Sequence, residues 1–185
     1  NFELNQVDLK KIFHSNSILI NILKSEILNN KNLNGKININ ANSFKGLNFL
    51  DQIKFNILFE EGDIFIQNLK TTFKKSVIID LSDIQLIVDN NNLKFAGYAT
   101  LELINVNEFF THYQINRSDR KNIKKITFGF LFNFDEEFIE FDNLKIDGKS
   151  YEEIEKFLSN FNSKKENIFN KIIRRNSVKS FFKIF

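Results

Sequence analysis

Apolar residues recurring at every second position, from Gly35 to Ile146, constrain this chain more than any other feature. Successive side chains of a β-strand point to opposite faces, so alternation writes one dry face and one wet face. Ile37, Ile39 and Ala41 alternate with Asn38, Asn40 and Asn42. Ile53, Phe55, Ile57 and Phe59 are interleaved with Lys54, Asn56 and Leu58. After a turn at Glu61-Gly62-Asp63 come Ile64–Thr72, then Val77–Leu81, then Ile84, Leu86 and Val88 set against Gln85 and Asp89. Asp89-Asn90-Asn91-Asn92 is a turn, because Asn and Asp tolerate left-handed backbone and bond their own chain. Leu93, Phe95, Gly97, Ala99, Leu101 and Leu103 make one face, with Lys94, Tyr98, Thr100 and Glu102 on the other. Ile126, Phe128, Phe130, Phe132 and Phe134 lead through Asp135-Glu136-Glu137 to a returning strand, Phe138–Ile146.

About seven strands with short polar turns describe a β-rich α+β fold: a curved, trough-like antiparallel meander with flanking N- and C-terminal helices. Its register is well specified, since a slip of one residue would place the Phe ladder in water. Leu9–Leu28 carries apolar pairs at helical spacing, and Gly35 opens the first strand. Val106–Ile115 is a short helix bearing Phe109, Phe110 and Tyr113. Ser150 and Glu153 have the spacing of a capping box ahead of the stripe Ile154, Phe157, Leu158 and Phe161. Lys164–Phe185 places Ile168, Phe169, Ile172 and Ile173 as an amphipathic helix in a strongly basic segment. The expected organisation is a helical lead-in over 1–34, the sheet over 35–149, and C-terminal helices with a basic tail over 150–185.

Several chemistries fit poorly. The chain has no Cys, which removes disulfides, thiolate catalysis and cysteine metal sites together. A formal net charge of +3 falls short of the concentrated basic face that nucleic acid demands. The two His, His14 and His112, have no partners at metal-ligand spacing, and the six Gly are scattered rather than gathered in a phosphate loop. Asp135, Glu136 and Glu137 read as a solvated hairpin tip, and Asn116-Arg117-Ser118 is a sequon of the kind that recurs by chance. The most apolar early stretch, Ser17–Leu28, is broken by Asn21, Lys24 and Glu26, so nothing here spans a bilayer as a helix. No enzyme activity, cofactor or metal is expected.

The order of elements carries a resemblance. Asp83-Ile84-Gln85-Leu86, a polar turn, and Leu93-Lys94-Phe95-Ala96-Gly97-Tyr98-Ala99-Thr100-Leu101-Glu102-Leu103 run into a short helix, Val106-Asn107-Glu108-Phe109-Phe110. A basic linker and a hairpin ending Asn143-Leu144-Lys145-Ile146-Asp147-Gly148 follow. Over Leu33–Gly148 this resembles the C-terminal portion of AsmA-like proteins, relatives of TamB and of the bridge-like lipid-transfer proteins. The resemblance implies a periplasmic segment anchored to the inner membrane from upstream of Asn1. It also implies a role in phospholipid transport, or in assembly and maintenance of the outer membrane.

Two candidate sites follow. An apolar trough needs apolar groups inward on each strand, and non-directional contact lets acyl chains slide along it. Its expected lining is Ile37, Ile39, Phe55, Ile57, Ile84, Leu86, Phe95, Leu101, Phe128, Phe130 and Phe132. The alternative is that this face is core for the flanking helices, in a structural or interaction module. The second site is the basic tail: Lys171, Arg174, Arg175, Lys179 and Lys183, interleaved with Ile and Phe, suit an anionic membrane surface or another envelope protein. Such a tail also suits the capping of an open sheet edge.

Overall fold

The computed structural model describes residues 2–4, 17–42, 45, 50–166 and 170–185. Strands β1 (Phe2–Leu4), β2 (Gly35–Ala41), β3 (Ile53–Glu60), β4 (Asp63–Phe73), β5 (Val77–Asp89), β6 (Asn92–Leu103), β7 (Lys125–Asn133) and β8 (Phe138–Ile146) lie in chain order in one open sheet. From β2 to β8 this is a seven-strand antiparallel meander; β1 joins its edge in parallel, with Phe2 opposite Ile39. Helices α1 (Ile18–Lys24), α2 (Val106–Tyr113), α3 (Glu152–Lys164) and α4 (Lys171–Ile184) flank it. The β-rich α+β meander expected from the alternation is the fold the chain adopts.

One feature of the alternation has a physical explanation that pattern alone misses. Apolar residues are odd-numbered from Val77 to Leu81 and even-numbered from Ile84 to Val88, which reads as two strands. They are one strand with a bulge. Ser82 lies opposite Tyr98 while Gln85 lies opposite Ala96, so β5 spends an extra residue there, and Asp83 takes φ 51°. The same happens in β4 at Asn68 (φ 56°), where Lys54 opposes Lys70 but Asn56 opposes Gln67. It recurs in β8 at Asn143 (φ 49°), between the pairs Thr127–Lys145 and Gly129–Asp142. Each bulge falls on Asn or Asp, which accept left-handed backbone at low cost, and each keeps the apolar sets before and after it on one face. Bulges also bend the strand and sharpen its twist. Gly97 belongs to this device: a Cβ there would come within 3.0 Å of the Ser82 carbonyl and 3.1 Å of the Ile84 side chain.

Other boundaries differ from expectation. β1 pairs as a three-residue edge strand that carries no alternation long enough to notice. The first helix runs only to Lys24; Ser25 caps it and Glu26 turns left-handed (φ 54°). Its expected start at Leu9 lies outside the described residues, as do Ile168 and Phe169. The capping box is not formed: α3 is preceded by Tyr151 in extended conformation with no side-chain cap, which leaves Ser150 one residue too early.

The core is built on one end of one face. Phe110 of α2, Ile154, Leu158 and Phe161 of α3, and Phe181 and Phe182 of α4 are buried against Ile126 and Ile146, with Leu101, Phe128 and Phe141 packed alongside. Phenylalanine supplies much of the joint, as edge-on rings: Phe110–Phe182 at 5.1 Å, Phe128–Phe141 at 5.2 Å and Phe181–Phe182 at 5.1 Å. At the other end of the same strands, α1 seats Ile20 and Leu23 on Leu93, Phe134, Phe95, Phe132, Leu86 and Val88. A partly buried ion pair between Lys24 and Asp135 fixes α1, and the other Asp135 oxygen accepts the Leu93 N–H at 3.1 Å. Asp135 is therefore a tie point, whereas Glu136 stays at the solvated tip and pairs there with the exposed Lys165 at 3.1 Å.

Candidate functional site

Strand pairing carries the expected lining across the sheet. Ile37 opposes Ile57, Ile39 opposes Phe55, Ile57 opposes Ile66, Ile66 opposes Ile84, and Leu69 opposes Leu81. Leu86 opposes Phe95, which opposes Phe132, and Leu101 opposes Ile126. All the expected positions thus fall on one face, but their surroundings differ. Leu101 and Phe128 pack under α3 and α4; Leu86, Phe95 and Phe132 pack under α1; Ile84 is 0% exposed and Phe130 8%. Ile37, Ile39, Phe55 and Ile57 are only half-buried, as are Ile66, Leu69, Ile79 and Leu81 beside them. Their one local cluster is small: Ala41 and Ile53 with Leu50, Phe55 and Leu69. Among the described residues, most helix-to-sheet packing falls on β6, β7 and β8; α1 reaches Leu86 and Val88 at one end of β5, α2 meets Phe73 at the end of β4, and no helix lies over the centre of β2–β5. The inner face is therefore core at β6–β8, whereas at β2–β5 it is buried at Ala41, Ile53, Ile64, Phe73, Val77 and Ile84 and, among the described residues, has no helix over its centre.

The basic tail divides as well. Asn170 caps α4, its Oδ1 accepting the N–H groups of Ile172 at 2.9 Å and Ile173 at 3.4 Å. Burial of Phe181 and Phe182 aims the apolar face of α4 at the core, which leaves Ile172 70% exposed at its start. Arg175 donates to the Gln114 Oε1 at 3.3 Å, and Arg174 bonds Tyr113, so both arginines lie along α2. Lys179 and Lys183 sit further along, lining a shallow depression with Ile115, Asn116, Ser180 and the acidic Asp119. Lys171, Arg174 and Arg175 instead share their surroundings with a residue the basic pattern did not include, Lys74 in the β4–β5 turn. All four cations act on His112, whose pKa lies below its ordinary value through burial first and then through Lys74, Arg174, Arg175 and Lys171. Burial also pushes the Tyr113 hydroxyl up, against the opposing pull of Arg174.

Lys74 and Lys75 both adopt left-handed backbone, φ 46° and 55°. The β5–β6 turn uses Asn90 and Asn91 for the same geometry, and the β3–β4 turn uses Glu61 and Gly62. A left-handed residue with an ordinary side chain costs about 1 kcal/mol or more, so two lysines are an expensive choice. Ser76, 0% exposed, fixes the turn: its carbonyl accepts the N–H groups of Ile104 at 2.8 Å and Asn105 at 3.0 Å. Ile104 is thereby held beside the two lysines, 65% exposed. Periodicity gave no warning of this, because Ile104 continues the strand pattern and turn lysines are unremarkable.

No group of His, Asp and Glu suited to holding a metal ion occurs among the described residues, and no helix there is long and apolar enough to cross a membrane. Comparison with family models, with curated proteins and with solved structures gave no match.

Proposed function

We propose that the uncovered apolar face of β2–β5 is a lipid-holding trough, and that the chain is a non-enzymatic segment of a periplasmic protein serving phospholipid transport or outer-membrane assembly and maintenance. One observation carries this: partly exposed Ile37, Ile39, Phe55, Ile57, Ile66, Leu69, Ile79 and Leu81 line a continuous surface with no helix over its centre among the described residues. Burying such a surface under an acyl chain gains about 25 cal/mol for each Å² removed from water. The work is done by burial alone, without covalent chemistry. The compartment and the transport role come from the AsmA-like resemblance.

A second reading has its own support. The β6–β8 half is sealed by helices, as expected of a structural or interaction module whose apolar face is core. The test must therefore act on β2–β5. Phe130→Asp would put a charge in a site 8% exposed and would unfold the domain whichever reading holds. Ile39→Asp and Ile57→Asp alter half-buried positions instead. Mass spectrometry of lipids retained by the purified chain should show stoichiometric phospholipid, lost in either variant while circular dichroism and thermal melting remain cooperative. A stable wild-type chain that carries no lipid overturns the trough and leaves the structural module.

A further inference from the structure

We infer that the end of the molecule formed by the β4–β5 turn, the β6–α2 junction and the start of α4 docks on an anionic lipid bilayer, with Ile104 and Ile172 entering the headgroup layer. Three observations converge. Phe73, which Lys74 follows, packs on the rings of His112 at 4.9 Å and Tyr113 at 5.9 Å, so the β4–β5 turn meets the end of α2 where α4 begins. Arg175 joins Lys74 there, held along α2 by its bond to Gln114 at 3.3 Å. The two isoleucines at this end, 65% and 70% exposed, are among the most exposed apolar side chains of the described residues. Apolar tips ringed by Lys and Arg are the composition of an interfacial surface: the cations gain from anionic headgroups and the tips leave water. The backbone supports the same point, since Lys74 and Lys75 hold left-handed positions (φ 46° and 55°) that Asn or Gly would fill at lower cost. Lys179 and Lys183 fall outside the surface, because Asp119 shares their depression.

An acidic protein would satisfy the cations too, but a flat protein surface has no use for two protruding isoleucines. The inference does not require the trough to hold lipid, and the two fail separately. The experiment is flotation of the full chain with vesicles of phosphatidylcholine alone and of phosphatidylcholine mixed with phosphatidylglycerol. Binding should appear only with phosphatidylglycerol and weaken as salt is raised. Lys74→Asn/Lys75→Gly should weaken it roughly 25-fold, about fivefold for each cation removed. That pair cannot fail by unfolding, because both substitutions suit the turn better than lysine does. Ile104→Ser/Ile172→Ser should also reduce binding, at exposed positions where folding is little affected. The inference is overturned if phosphatidylglycerol adds nothing, or if the turn variant binds as the wild type does. It is equally overturned if the serine pair leaves vesicle binding unchanged, which would mean electrostatic adsorption without insertion of the isoleucines.

Discussion

Two halves of one sheet, built from the same alternating pattern, end in different physical states. On β6–β8 the inner face meets α1, α2, α3 and α4, and its rings interlock with theirs. On β2–β5 the same kind of residues, Ile37, Ile57, Ile66 and Leu81, stay partly exposed. Alternation specifies that a face will be dry, but not what dries it. The covering elements decide: a helix before the meander, one between β6 and β7, and two after β8. The edges differ in the same sense. At β8 the Asn162 side chain of α3 stands in for a neighbouring strand, its Oδ1 accepting the Phe141 N–H at 3.0 Å and its Nδ2 donating to the Phe141 carbonyl at 2.9 Å. At β2 the pairing with β1 covers only Ile39–Ala41.

The largest expected effect tests whether the halves differ in energy as they do in packing. Phe110, 2% exposed, is surrounded by α2, α4 and the sheet. Its replacement by Ala should cost about 3–5 kcal/mol in urea unfolding. Ile57→Ala on the open half should cost about 1 kcal/mol, because part of that side chain already lies in water. Equal losses would mean that β2–β5 is as tightly packed as β6–β8, and the trough would lose its basis. Next comes the sealed edge. Asn162→Ala removes two hydrogen bonds at partly buried positions and should cost about 1–2 kcal/mol. It should also promote self-association, visible in sedimentation, because it frees backbone groups on an edge strand. A variant that stays monomeric and as stable as the wild type would show that α3 packing alone closes that edge.

How much of this was legible in the sequence follows from which interactions are local. Strand positions were readable because each strand's two faces are written within itself, so β4, β6, β7 and β8 lie within a residue or so of where alternation puts them. The bulges were readable only in part. The switch from odd to even numbering around Asp83 is visible, but a bulge and a strand break give the same pattern until the partner strand is known. The division of the lining was not readable, since Phe130 and Ile57 look alike in their own strands and differ only in what lies above them. The same holds for Asp135, a turn carboxylate by local pattern whose role depends on Lys24, 111 residues away. Of the basic tail, the helix and its charges were legible; the partnership of Lys171 with Lys74 was not, because it is made by tertiary packing.

The smallest expected effect concerns His112, and it sharpens the comparison because β2–β5 contain no histidine. Burial and four nearby cations hold the His112 pKa below 6.5 in the folded protein, while the unfolded chain takes its proton near that value. Below about pH 6.5 the unfolded state therefore binds more protons than the folded one, and stability must fall as pH falls. The contribution is complete above the unfolded pKa and is lost progressively on acidification. Urea midpoints should drop between about pH 7.5 and pH 5.5 in the wild type and drop less in His112→Gln. The turn variant Lys74→Asn/Lys75→Gly separates the causes. Removing Lys74 should move the His112 titration, followed by NMR, partway back toward its ordinary value, and burial, the larger cause, should keep it depressed. A His112 that titrates normally in the wild type would mean that α2 sits loosely over Phe73, whose ring it meets at 4.9 Å. The place where a helix closes over the end of β4 would then be less tightly packed than the β6–β8 half.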